Sequence, residues 1–73
     1  MAHYDTVTKP ALLDLERAFG KAGTPWEPAL PDLKATVDAA AKAGATPNEI
    51  ADAVGGRVIW NRFVRAIKRA KLV

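Results

Sequence analysis

With 73 residues the chain is long enough for one domain and too short for two, and the absence of cysteine excludes disulfides, zinc-finger chemistry and a thiol nucleophile together. Hydrophobic residues make up 49% and charged residues 26%, the balance of a folded globular domain rather than a disordered one. The formal charge of +3 is unevenly spread: all eight acids lie at or before Asp52 beside five bases, whereas six bases and no acid follow from Gly55 onward.

The opening Met1-Ala2-His3-Tyr4-Asp5 lacks the apolar stretch of a signal peptide, and residues 1–7 read as a loose tail. No apolar run approaches the roughly 18 residues of a membrane span, so a cytoplasmic protein without membrane association is expected. Thr8 can cap a first helix with Pro10 in its first turn, and Leu12, Leu15 and Phe19 recur at helical steps as its inward stripe. Gly20 or Gly23 ends it, with Leu13 left outside the stripe. Three prolines in Thr24-Pro25-Trp26-Glu27-Pro28-Ala29-Leu30-Pro31 make a rigid connector with room for one helical turn. Trp26 there reads as a lid over the core or as part of a partner surface.

Pro31 and Asp32 open a second helix with Leu33, Val37, Ala40 and Ala41 facing inward, and Gly44 closes it. Thr46-Pro47-Asn48-Glu49 has the form of a capping box, and a short third helix from Pro47 to Val54 buries Ile50, Ala51 and Val54. Gly55-Gly56 breaks it. Lys21-Ala22-Gly23-Thr24-Pro25-Trp26-Glu27 echoes Lys42 to Glu49, which shared helix-stop and helix-start grammar explains without an internal repeat.

The last helix, from about Val58 to Ala70, is the most strongly patterned. At about 100° per residue Trp60, Phe63, Val64, Ile67 and Ala70 share one side, while Arg62, Arg65 and Arg69 lie opposite, flanked by Asn61 and Lys68. Arg57-Val58-Ile59-Trp60 is also β-branched and aromatic enough for a short strand, with Asn61 then capping the helix. The fold expected is therefore all-α, a single domain over 1–73 forming a small bundle of about four helices.

The run Gly44-Ala45-Thr46-Pro47-Asn48-Glu49-Ile50-Ala51-Asp52-Ala53-Val54-Gly55 resembles the first half of the helix-turn-helix superfamily pattern, in which Glu-Ile-Ala opens the first helix and a glycine follows the small alanine by four. The resemblance spans residues 44–70, a third of the chain, and places the helix-turn-helix at 47–70. Where the family usually has an apolar residue six positions after the turn glycine, this chain has Asn61. Either the turn is lengthened through Gly56-Arg57 or the helix is rotated from the usual docking.

The resemblance implies binding of double-stranded DNA, with the last helix in a major groove about 12 Å wide. Val58, Asn61, Arg62 and Arg65 would reach base edges, and Thr46, Asn48, Arg57, Lys68, Arg69 and Lys71 would meet phosphates. It implies a transcriptional regulator or a phage-type repressor or excisionase-like factor, acting as a homodimer on paired half-sites.

Three rivals stand beside this reading. The basic face can be merely solvated; the scaffold can be a module that binds a host or regulatory protein through Trp26 or the first helix; or the last helix can lie on an anionic membrane. The membrane option ranks last, because so small a domain can hardly spare Trp60, Phe63, Val64 and Ile67 from its core. One histidine, His3, in the tail, no phosphate-cradling glycine loop and no carboxylate pair in an apolar setting argue for a non-enzyme with no cofactor and no metal.

Overall fold

The computed structural model describes residues 4–23 and 26–72, and within them the chain is all-α, without a strand. A π-helical turn, Tyr4–Thr8, leads into α1 (Lys9–Ala22), a 3-10 turn, Glu27–Ala29, leads into α2 (Leu30–Lys42), and α3 (Pro47–Val54) and α4 (Arg57–Arg69) follow. Helix α1 packs against α2 and α3, and α4 leans on α3 and α2.

Thr8 is not the cap of α1. Its backbone is already helical, and its buried hydroxyl donates instead to the Ala43 carbonyl at the end of α2. A preceding helical turn leaves no orphan amide for Thr8 to serve, so the side chain ties the start of the chain to the α2–α3 loop. Of the expected loose tail, residues 4–7 belong to this turn, while residues 1–3, with His3, lie outside the described residues. Thr24 and Pro25 of the connector lie outside them too.

Three of the helices end in the same hydrogen-bond pattern, with the last carbonyls taken by amides of a left-handed exit. Gly44 and Ala45 close α2 through Ala41 and Ala40 at 3.1 and 3.0 Å, and Gly55 and Gly56 close α3 through Asp52 and Ala51 at 3.2 and 2.9 Å. Lys71 and Leu72 close α4 through Lys68 and Ile67, both at 3.1 Å, with Lys71 in the left-handed region (φ 59°) where glycine is the usual residue. Gly55 is held to glycine by its backbone, at a φ of 124°; a Cβ placed there would lie 3.4 Å from Ile59 Cγ1, within van der Waals contact.

The core comprises Leu15 and Phe19 of α1, Leu30, Leu33 and Ala40 of α2, Ile50 and Val54 of α3, and Phe63 and Ile67 of α4. Leu30 belongs to it because α2 begins one residue before Pro31, with Ala29 rather than a polar side chain at the cap. Ala41 and Ala70, expected inside, are exposed: Ala41 lies near the end of α2 and Ala70 at the C-cap of α4. Trp26 fits the expected lid: half-buried, it meets Phe19 and Phe63 edge-on at 6.0 and 5.8 Å. Trp60, expected as a core anchor, is half-buried at the flank, its ring 5.9 Å from that of Phe63.

Phe63 and Trp60 should therefore separate on mutation. Phe63→Ala should cost about 3–5 kcal/mol, the range for emptying a packed aromatic site, and Trp60→Ala about 1–3 kcal/mol, because its site is already partly open to solvent. Urea unfolding of both variants checks the order; a larger loss for Trp60→Ala would mean that the flank carries the core.

Candidate nucleic-acid interface

Two glycines suffice for the turn between α3 and α4. Helix α4 starts at Arg57, so the strand alternative for 57–60 is overturned, and so is a turn lengthened through Arg57. Helical phase explains the departure at Asn61. Because α4 starts directly after the two glycines, Ile59, Phe63 and Ile67 recur every fourth residue as the inward line, and Asn61 falls outside it. Ile59, half-buried against the core, was not among the expected inward residues; a Cβ at Gly55 would lie 3.4 Å from its Cγ1, so its side chain lies beside the turn.

The outer face of α4 follows from that phase. Val58, Asn61, Arg62, Arg65, Lys68 and Arg69 are all exposed, Val58 to 67%, and Lys71 continues the charge past the helix end. Arg62, Arg65, Lys68, Arg69 and Lys71 make no ion pair or side-chain hydrogen bond with any described residue. The one ion pair among those residues joins Lys34 and Asp38 across a turn of α2 at 2.9 Å. At 13 residues α4 is about 20 Å long, and its cationic side runs for most of that length.

The beginnings of α3 and α4 are linked. Arg57 Nη2 donates to Asn48 Oδ1 at 3.0 Å, which brings two of the residues expected at phosphates together at one end of the face. Thr46 occupies a different role from a free phosphate ligand. Its hydroxyl accepts from the Glu49 amide at 3.2 Å while its own amide donates to the Glu49 carboxylate at 2.8 Å. Pro47 has no N–H, so of the first-turn amides the cap leaves that of Asn48, and the Glu49 carboxylate stands close to where an incoming phosphate would sit. The structure thus brings Asn48 and Arg57 together and commits Thr46 to the fold.

Helix α4 departs from the rules of helix stability in its charge. Its cap, Gly56, is held to glycine by a φ of 114°, but its first turn carries Arg57 and no acid at the end where the macrodipole favours negative charge. Lys68 and Arg69 in the last turn are, by contrast, at the favourable end. No group of three or more metal-ligating side chains occurs among the described residues, and no described helix is long and apolar enough to cross a membrane. Comparison of the chain with family models, with curated proteins and with solved structures found no match.

Because Thr46 is spent on its cap, Thr46→Ala should lower stability by about 1 kcal/mol, and any loss of nucleic-acid affinity should vanish once the folded fraction is corrected for. Thermal unfolding and duplex titration of the same sample test both; a residual affinity loss would return Thr46 to the interface.

Proposed function

We propose that this protein binds double-stranded DNA, with α3 and α4 as a helix-turn-helix and the outer face of α4 in the major groove. The observation that carries the reading is the exposed, unpaired cationic side of α4, set directly behind a short capped helix and a two-glycine turn. Solvation alone does not account for an arginine at the unfavourable end of an uncapped helix, whereas a polyanion approaching there removes the penalty.

In this reading Asn61, Arg62 and Arg65 address base edges, where asparagine suits adenine and arginine guanine, and the exposed methyl groups of Val58 suit a thymine methyl. Arg69, Lys68 and Lys71 meet the phosphates at the far end, and Arg57, held by Asn48, meets them at the near end. One short helix reads few base pairs, so we propose a homodimer acting in the cytoplasm as a small regulator of the repressor or excisionase kind.

Arg62→Ala, Arg65→Ala and Arg69→Ala should leave the fold intact, since exposed truncations shift stability by less than about 0.5 kcal/mol. Loss of Arg62 or Arg65 should weaken a specific duplex by about 1–3 kcal/mol and relax preference at one base pair. Loss of Arg69 should weaken all sequences alike and reduce the log–log salt slope by about 1. Selection of duplexes from a random pool, followed by titration at several salt concentrations, measures these effects. Parental affinity retained by the triple variant would leave the arginines as a solvated face.

A further inference from the structure

A recess of about 490 Å³ opens between the second half of α1, the end of α3 and the start of α4. Phe19, Trp26 and Ile59 give it apolar walls, and Glu16 and Asp52 stand in its lining. Among the described residues neither carboxylate has an ion-pair or hydrogen-bond partner, and none of those lining the recess is basic. Gly20 and Gly23 keep its α1 side open, since a Cβ at either would meet nothing within 4 Å.

We infer that this recess takes an arginine side chain of a protein partner. The pairing is set by charge and shape together. A guanidinium is planar, stays cationic at any relevant pH, spreads its donors in a fork that carboxylates accept, and stacks on an aromatic ring while its methylene stem covers apolar surface. Half-buried Trp26 supplies the ring surface, Glu16 and Asp52 the acceptors, and Ile59 and the glycines the wall along which the stem lies. An acidic or phosphorylated ligand is repelled by the same two carboxylates, so nucleic acid is excluded here. This surface is independent of the DNA reading: it uses none of the residues assigned to bases or phosphates.

The test uses the whole chain, 15N-labelled, titrated at low salt with the peptide acetyl-Gly-Arg-Gly-Gly-amide and with its citrulline counterpart, which keeps the shape and removes the charge. The arginine peptide should shift the Trp26 indole N–H and the Gly20, Gly23 and Gly55 amides with one saturation curve. The citrulline peptide should bind at least about ten-fold more weakly, as should the arginine peptide to a Glu16→Gln, Asp52→Asn variant. Both substitutions are on exposed side chains, and an unchanged unfolding curve establishes that the variant is folded. Shifts spread evenly over Asp14, Asp32 and Asp38 as well, or equal affinity for citrulline, would overturn the inference. Retained DNA binding by the variant together with lost peptide binding would support the recess alone, and lost DNA binding with unchanged peptide binding would overturn it.

Discussion

The ring of Phe63, in edge contact with Phe19 at 4.9 Å and Trp26 at 5.8 Å, is the contact on which the rest of the molecule depends. Fifteen of the 73 residues are alanine, which favours helix but buries little area, so the few large side chains must fix how the helices lie. Helix α4 enters the core chiefly through Phe63 and Ile67. Once Phe63 is seated, the helical period decides where every other residue of α4 points. Arg62 and Arg65 are turned outward because Phe63 is turned inward. The direction of the cationic face is thus a consequence of aromatic packing, and a core that merely collapsed would lose it.

Helices α3 and α4 differ in how well their beginnings suit the fold. Helix α3 has both halves of a capping box and a proline in its first turn. Helix α4 has glycine at its cap and arginine in its first turn, and leaves the valine beside it 67% exposed. The φ of 114° holds position 56 to glycine, but a sequence selected for stability alone would place an acid shortly after it. Local rules are broken where something else is being served, and they are broken here at one end of the face proposed to meet DNA. The hydrogen bond from Arg57 to Asn48 holds the misplaced charge in position rather than neutralising it.

Much of this was legible in the sequence because it is written in local grammar. The capping box at Thr46 and Glu49, the glycine stops at 44 and 55, and the apolar sector around Phe63 and Ile67 each follow from residues within a few positions of one another. What was hidden depends on partners far along the chain. Thr8 looks like a cap until its hydroxyl is seen to donate a hydrogen bond to Ala43, 35 residues away. Ile59 is unremarkable in a β-branched run until the conformation of Gly55 brings it against the turn. Trp60 shares a side with Phe63 in projection, yet only the position of α2 decides how deeply it is covered. The recess beside Trp26 was equally invisible, because Glu16 and Asp52 lie 36 positions apart along the chain and only the packing of α1 against α3 brings them to one recess.

Opposite charge on different parts of one small domain limits what each part can do to the other. At physiological ionic strength fields fade over about 8 Å, so the carboxylates in the recess act on what enters it and only weakly on the outer side of α4. Within that range their effect is directional. In the proposed complex a duplex lying along Arg62, Arg65 and Arg69 is repelled by Glu16 and Asp52 from the side of the molecule that carries the recess. The Asn48–Arg57 end carries no such obstacle beyond Glu49, whose carboxylate is already engaged by the Thr46 amide. Glu16 and Asp52 therefore do more than balance net charge: in the proposed complex they disfavour one side of α4 for the duplex, and the same two carboxylates are the acceptors of the proposed arginine site.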